Sequence, residues 1–397
     1  MELRKIDIFL FKTMYLLAAG IIFFQVLGRS SITSILFLMT FPLTVLLWLR
    51  LVRKNLIGSD LLMLSALLLS VIFVLLNAMA ANASLNFTYV KKVIMFAMAM
   101  MYLQTVYRVR VREDIERFIN GAVDVVTILL IAMYFLRNPQ MHLFVGRVSP
   151  YLTFRFSNPN TTGLFLVCLY MLELYRLFSA ESWYMKLIRV AMAVCLAKFV
   201  YETQARNSLL VMMIFTVVCG WLVFRGRKNM RISSGTATFV AIFPVLFAAV
   251  YLAVVNAEWF REVFAFLTGE GKGLNARVLI WSNVLDHIGR SPLIGAYYQI
   301  SDGSGISQMH NTHLDIAASY GVPVMIMVCV LLKKYLHKNG HVYTEKQSYI
   351  YILGFACAIM LGMGEAALFS GGLSLYIFVG AFLLLSNGVE TEGADLE

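Results

Sequence analysis

The sequence predicts an all-α protein that crosses a lipid bilayer about 12 times, as two features of its composition indicate. Of its 397 residues, 60% are hydrophobic and 14% are charged, whereas an ordinary soluble domain has about 25% charged residues. The apolar residues are grouped in runs that approach the roughly 20 residues of one bilayer crossing, at 8–27, 32–48, 61–79 and 94–107. Soluble folds do not repeat such runs, so lipid is the main solvent of this chain.

Reading the apolar runs in chain order gives the helices of a single transmembrane domain, residues 1–397. The first run lacks the small-residue cleavage site of a signal peptide, and we interpret it as a membrane helix. We find no internal repeat of the kind that many secondary transporters contain. The helices are predicted near residues 8–27, 32–50, 60–79, 90–107, 118–136, 159–176, 187–204, 207–224, 236–255, 312–332, 348–364 and 371–386.

The basic residues between these helices predict the orientation of the chain in the membrane. If successive helices alternate in direction, one side carries about twice as many Lys and Arg residues as the other. Since the richer side faces the cytoplasm, we expect a multi-pass protein of the inner (cytoplasmic) membrane with both termini cytoplasmic. The net charge of +11 is spread over short loops, which topology and contact with lipid headgroups explain better than nucleic-acid binding does, so no nucleic-acid partner is expected.

The longest predicted extracytoplasmic loop spans residues 256–311. Within it, Asn275 is expected to cap a helix that runs to about residue 289, and Pro292 would stop that helix. Apolar residues recur on one face of this segment, which predicts a helix lying in the membrane interface with Trp281 at headgroup depth.

Three arginines on the predicted outer face, Arg155, Arg206 and Arg277, oppose the usual charge bias. A guanidinium donates two parallel hydrogen bonds to phosphate oxygens, so arginines at helix ends suit a lipid pyrophosphate. Arg206 lies at a tight turn between two apolar helices, where a charge without a partner is costly. Its partner would be a substrate phosphate or Glu202, one helical turn earlier. For each arginine alone, the alternative is that it extends to outer-leaflet headgroups.

A histidine motif, His310-Asn-Thr-His313-Leu-Asp315, begins where the long loop enters the predicted tenth helix. An imidazole accepts a proton near neutral pH, so His310 is the candidate general base for a hydroxyl group. His310 and His313 are three residues apart and could share a metal ion, but no third ligand of the right type is adjacent. For His313, capping of a helix or binding of headgroups is the alternative.

Four motifs occur in a fixed order along the chain. They are Arg155-Phe-Ser-Asn158-Pro-Asn160-x-x-Gly163, Arg206 at a helix start, Gly273-x-x-x-Arg277-x-x-x-Trp281 followed by Ser291-Pro-Leu-Ile-Gly295, and His310-Asn311 with Gly321 downstream. Together these motifs resemble the O-antigen ligase and polysaccharide polymerase family. The resemblance covers about residues 150–325, and it depends on the order and shared predicted face of motifs that are weak singly.

This resemblance implies a helical fold of the third glycosyltransferase architecture (GT-C-like) and a glycan donor linked to undecaprenyl pyrophosphate. Arg206 and Arg277 would hold the pyrophosphate and His310 would lie at the acceptor hydroxyl, which makes these three the catalytic candidates. The implied partners are the lipid-linked donor and acceptor, the lipid bilayer and a chain-length regulator. The substrate-binding candidates are Arg155, Asn158, Asn160, Trp281, Asn311 and His313.

The predicted site needs neither a metal nor another cofactor. Glycosyltransferases that use a divalent cation generally present clustered carboxylates, and no Asp-x-Asp sequence occurs in this chain. Arginine would therefore supply the positive charge that a cation supplies elsewhere. The five cysteines lie in apolar runs without paired spacing, which predicts core residues and neither disulfides nor metal ligands.

The resemblance leaves more than one activity open. Members of the family often continue the histidine motif with Gly-x-x-Gly, whereas this chain has Gly321-Val-Pro-Val324, which favours a polymerase of lipid-linked repeat units. One alternative is a ligase that transfers the same donor to lipid A or another terminal acceptor. The second is a transporter or flippase for lipid-linked sugars, which would need charges facing a central pathway, and the sequence offers only a few mid-helix charges such as Lys198.

Overall fold

The computed structural model describes most of the chain, and every structural statement below concerns the residues that it describes. These are residues 5–27, 30–80, 87–109, 111–136, 142–144, 147–148, 150–154, 156, 159–225, 231–255, 257–258, 272–296, 309–337, 346–365, 368–369, 373–386 and 389–390.

The described residues form a helical protein with four two-residue strands. Strand β1 pairs in parallel with β4, and β2 pairs antiparallel with β3. In chain order the elements are α1 (Lys5–Val26), α2 (Ser30–Val52), α3 (Gly58–Ala80), α4 (Phe87–Arg108), β1 (Val111–Arg112), α5 (Glu113–Phe135), β2 (Leu143–Phe144), β3 (Arg147–Val148), α6 (Pro159–Ser179), α7 (Trp183–Glu202), α8 (Arg206–Phe224), α9 (Ser234–Val254), α10 (Lys272–Arg290), α11 (Thr312–Tyr320), α12 (Val322–His337), α13 (Lys346–Leu361), α14 (Leu373–Leu385) and β4 (Val389–Glu390).

Seven of the described helices are long and apolar enough to cross a membrane, by length and composition: α1, α2, α3, α5, α6, α8 and α9. Large apolar side chains point outward from them, and Leu68 and Val217 are 62% and 69% exposed, as expected of helices solvated by lipid. The prediction of a polytopic α-helical membrane protein is therefore confirmed. The 12 crossings of the sequence analysis, the GT-C-like architecture and the cytoplasmic termini stay predictions.

Helix α6 is the central helix of the bundle. Every residue from Thr162 to Tyr175 is buried, since α7, α8, α13 and α14 pack around it. Gly163 allows α6 to approach the start of α8, because a Cβ at this position would lie 2.5 Å from the Cβ of Ala205. The glycine of the Asn-Pro-Asn-x-x-Gly motif thus brings the amino-terminal ends of α6 and α8 together.

A cluster of paired charges lies at the opposite end of α6. Arg176 donates to the two carboxylate oxygens of Asp124 in α5 at 2.5 and 2.7 Å. Arg189 of α7 also pairs with Asp124, and lies 3.1 Å from the buried Glu173. Buried charges are tolerated when they are paired and hydrogen-bonded, so this cluster fixes α5, α6 and α7 relative to one another. Lys198 is separate from it, with a side chain that is 58% exposed and 3.8 Å from Glu202.

The predicted tenth helix, 312–332, is interrupted, which corrects the sequence analysis. Helix α11 ends at Tyr320 and α12 begins at Val322, because Gly321 adopts a left-handed conformation with φ 85°. A Cβ at Gly321 would lie 2.0 Å from the carbonyl oxygen of Leu293, so the backbone after α10 passes directly against this break. The Ser291-Pro-Leu-Ile-Gly295 motif and Gly321 therefore form one packing unit that orients the short helix α11.

The segment predicted to lie in the membrane interface is α10, and two of its details were wrong. Asn275 does not cap this helix, because the helix begins three residues earlier at Lys272. Trp281 does not face the headgroup layer, since its side chain is fully buried within the protein and its Nε1 donates to the carbonyl of Met309 at 2.9 Å. The reason is tertiary: the apolar face of α10 packs against α9 and α11, and the indole ring meets Tyr251 edge-on at 5.4 Å.

Candidate functional site

Three residues from three different sequence motifs meet at one carboxylate, that of Glu365. This residue follows the end of α13, and its side chain is 6% exposed. Asn160 Nδ2 donates to Oε1 at 2.7 Å, and His310 Nδ1 lies 3.1 Å from Oε2. Arg277 Nη2 lies 3.9 Å from Oε1. A single acid is thus contacted by side chains from the start of α6, from the first half of α10 and from the residue just before the cap of α11.

The backbone around His310 positions its imidazole at the edge of the protein. His310 itself is in the left-handed region, with φ 48°, which is uncommon for a residue that has a side chain. The next residue, Asn311, caps α11, and its side-chain oxygen accepts from the backbone N–H groups of His313 and Leu314. The side chain of His310 is 28% exposed. Since Glu365 engages Nδ1, Nε2 is the ring nitrogen that is placed to accept a proton from a hydroxyl group.

The loop that carries Glu365 is fixed by polar contacts with α8 and α11. The Thr312 N–H donates to the carbonyl of Gly362 at 2.9 Å, and the Thr312 hydroxyl donates to the carbonyl of Glu365 at 3.1 Å. Asn207 Nδ2 donates to the carbonyl of Leu361 at 2.7 Å. These bonds join the end of α13 to the starts of α8 and α11, so the carboxylate is held at a defined position beside His310.

Arg206 is the first residue of α8, and its side chain is exposed. The turn before it is tight, as the positive φ of 55° at Gln204 shows. The carboxylate of Glu202, one of the two partners considered for Arg206, accepts from the Tyr134 hydroxyl at 2.6 Å and lies 3.8 Å from Lys198 Nζ. The next residue, Asn207, binds the end of α13, which Glu365 follows. The backbone of Arg206 therefore lies at the same end of the bundle as Glu365.

The other substrate-binding candidates divide into two groups. Arg155 and Asn158 lie outside the described residues. Trp281, Asn311 and His313 are fully buried, and their assignment as substrate-binding residues stays a prediction. The imidazole of His313 bonds through Nε2 to the carbonyl of Ala241 at 2.7 Å. The amide of Asn311 donates to the carbonyls of Pro244 and Met363 at 2.7 and 3.2 Å.

Glu365 is the residue that the sequence reasoning missed, although the sequence contains a signal for it. It is the only Asp, Glu, Lys or Arg between residues 349 and 386, and it falls between two apolar helices at a predicted outer turn. A lone ionisable residue in such a segment is a default candidate for function because it is costly to bury. The sequence did not show which side chains contact Glu365.

The arrangement places a candidate general base, His310, beside a candidate anion-binding group, Arg277. A carboxylate hydrogen-bonded to one nitrogen of an imidazole fixes the tautomer of the ring and stabilises the imidazolium that forms when the other nitrogen takes a proton. Arg277 places a positive charge next to this pair. Among the described residues, no group of three His, Cys, Asp or Glu side chains is arranged to hold a metal ion.

Comparison with known protein families gives a match to part of the chain that includes three of the candidate site residues. A family model described as O-antigen ligase matches residues 191–329, about a third of the chain. The match includes Arg206, Arg277 and His310, whereas Asn160 and Glu365 lie outside it. A comparison with curated proteins gives no match. Residues 191–329 of this chain are therefore similar to the O-antigen ligase family.

Proposed function

We propose that this protein polymerises oligosaccharide repeat units linked to undecaprenyl pyrophosphate, on the outer face of the cytoplasmic membrane. The product would be a capsule, O-antigen or exopolysaccharide chain. The observation that carries the proposal is the imidazole of His310, 3.1 Å from the nearly buried carboxylate of Glu365 and next to Arg277. This arrangement joins a proton acceptor to a pyrophosphate-binding group, which are the two functions that glycosyl transfer from a lipid pyrophosphate requires.

The transfer is a single displacement with inversion at the sugar. The acceptor hydroxyl oxygen attacks the anomeric carbon of the donor glycan, and its proton passes to Nε2 of His310. The bond between the anomeric carbon and the pyrophosphate oxygen breaks on the opposite face, and undecaprenyl pyrophosphate leaves with the electron pair. Glu365 holds the Nδ1–H of His310, so that Nε2 carries the free lone pair when the acceptor arrives.

The arginines act on the leaving group. Negative charge develops on the pyrophosphate oxygen as the glycosidic bond breaks, and fixed donors aimed at that oxygen stabilise the transition state by on the order of 3 kcal/mol each. Arg206 and Arg277 take this role, and Arg155 would add a further guanidinium. Both Arg206 and Arg277 are at least partly exposed, which leaves their guanidinium groups accessible to a lipid-linked substrate.

A ligase is the second candidate, because the matching family model is described as O-antigen ligase. The two activities use the same donor and differ in the acceptor. Deletion of the gene separates them when the glycan on the terminal carrier is analysed: a lost polymerase leaves single repeat units, whereas a lost ligase leaves no glycan on that carrier. A surface glycan of unchanged length and amount would contradict both candidates.

A chelator is expected to leave the activity of the purified protein intact. The proposed mechanism takes its positive charge from arginine, so it contains no step that a divalent cation must support. Transfer would be measured with a lipid-pyrophosphate donor before and after treatment with EDTA, and a metal-dependent glycosyltransferase assayed in the same buffer would serve as the control. Strict dependence on Mg²⁺ or Mn²⁺ would rule out the arginine mechanism.

A further inference from the structure

Among the described residues, three side chains meet the carboxylate of Glu365, and Arg277 is the one held most loosely. Asn160 and His310 lie within hydrogen-bond distance, at 2.7 and 3.1 Å. Arg277 is 3.9 Å away, which is beyond hydrogen-bond distance, and its side chain is 34% exposed. The Thr312 hydroxyl also holds the backbone carbonyl of Glu365 at 3.1 Å. Glu365 therefore keeps its position without Arg277, whereas Arg277 can turn away at little cost.

We propose that Arg277 exchanges partners in each catalytic cycle: it pairs with Glu365 until the donor binds, and then transfers to the pyrophosphate. This inference rests on the proposed function, which assigns the pyrophosphate to Arg277. A pyrophosphate offers several oxygens to the two parallel N–H donors of the guanidinium and carries more charge than one carboxylate. A contact of 3.9 Å at this exposure is weak by comparison, so the phosphate displaces it.

The exchange links donor binding to the strength of the base. While Arg277 faces Glu365, its positive charge offsets part of the charge on the carboxylate. Once Arg277 has turned to the donor, the carboxylate keeps the amide of Asn160 and the ring of His310 as its hydrogen-bond partners. Its full charge then acts on the imidazole and stabilises the imidazolium that forms as the acceptor is deprotonated. The carboxylate of Glu365 thus stabilises the imidazolium of His310 most strongly when a donor is bound.

The exchange makes an unusual prediction for Glu365→Gln. Glutamine no longer competes for Arg277, so we expect undecaprenyl pyrophosphate to bind about fivefold more tightly than to the wild type. Transfer should nevertheless slow by on the order of 10²- to 10⁴-fold, because the glutamine amide donates to Nδ1 and leaves the proton on Nε2. A purely structural role of Glu365 would instead weaken binding. Asp286→Asn is the matched control, since Asp286 pairs with Arg290 on the same helix at 2.6 Å and is exposed.

The double variant Arg277→Ala/Glu365→Gln tests whether the gain in affinity passes through Arg277. Binding of undecaprenyl pyrophosphate to the purified, detergent-solubilised full chain would be measured by titration calorimetry. The exchange predicts that Glu365→Gln tightens binding only when Arg277 is present. Equal tightening in the Arg277→Ala background would show plain repulsion between Glu365 and the phosphate, and would overturn the exchange.

A second variant covers the case in which Glu365→Gln does not fold. Glu365→Asp keeps the charge but withdraws the carboxylate by one methylene, which lengthens the contact with Arg277, so a smaller gain in affinity is expected. If the wild type binds undecaprenyl pyrophosphate and neither variant binds it more tightly, the exchange is wrong and the proposed function stands. If the wild type does not bind the lipid pyrophosphate, both are wrong.

Discussion

Replacing His310 with alanine is expected to slow glycosyl transfer by roughly 10²- to 10⁴-fold and to leave donor affinity nearly unchanged. The imidazole is assigned to the acceptor hydroxyl, so its loss removes the proton acceptor and keeps the guanidinium groups that bind the pyrophosphate. Single-turnover transfer from a lipid-pyrophosphate donor measures the first effect, and equilibrium binding of undecaprenyl pyrophosphate measures the second.

His287→Ala provides the control for this experiment. His287 lies in the last turn of α10, away from the Glu365 contacts, and its replacement should leave both quantities close to their wild-type values. Transfer at the wild-type rate in His310→Ala would exclude His310 as the base. A loss of donor affinity as large as that of Arg277→Ala would show that His310 and Arg277 do not have the separate roles proposed here.

Lysine at position 206 or 277 is expected to lower turnover by on the order of 10²-fold and to weaken donor binding, with folding retained. Lysine keeps the positive charge but loses the planar pair of donors, so it meets the pyrophosphate only as a point charge. Arg206 is exposed and Arg277 partly exposed, so both positions should tolerate the change without loss of stability, and thermal unfolding in detergent would verify this point.

Arg290→Lys is the matched control for these variants. Arg290 lies on the same helix as Arg277, is 71% exposed and pairs with Asp286 at 2.6 Å, so its replacement should change neither turnover nor affinity. If Arg277→Lys turned over like the wild type, charge alone would suffice, and the bidentate contact with phosphate would be wrong.

The sequence predicted most of the helices because the length and composition of an apolar run are local properties of the chain. The break at Gly321 was not predicted, although Gly321 followed by Pro323 is a local signal that ends a helix. What only the tertiary structure shows is the close approach of Leu293, whose carbonyl oxygen would lie 2.0 Å from a Cβ at position 321. The burial of Trp281 has a similar cause. The apolar face of an amphipathic helix can pack against lipid or against protein, and the face of α10 packs against α9 and α11.

The sequence by itself determined that this chain is solvated by lipid, and it selected Asn160, Arg277 and His310 as chemical groups near helix ends. The tertiary structure decided which of these groups meet. His310 and Glu365 are 55 residues apart in sequence, and Asn160 and Glu365 are 205 apart. Contacts across such distances depend on how α6, α11 and the end of α13 pack, which no local pattern encodes. Glu365 therefore appears in the sequence only as a lone acid, and the folded chain makes it the centre of the candidate site.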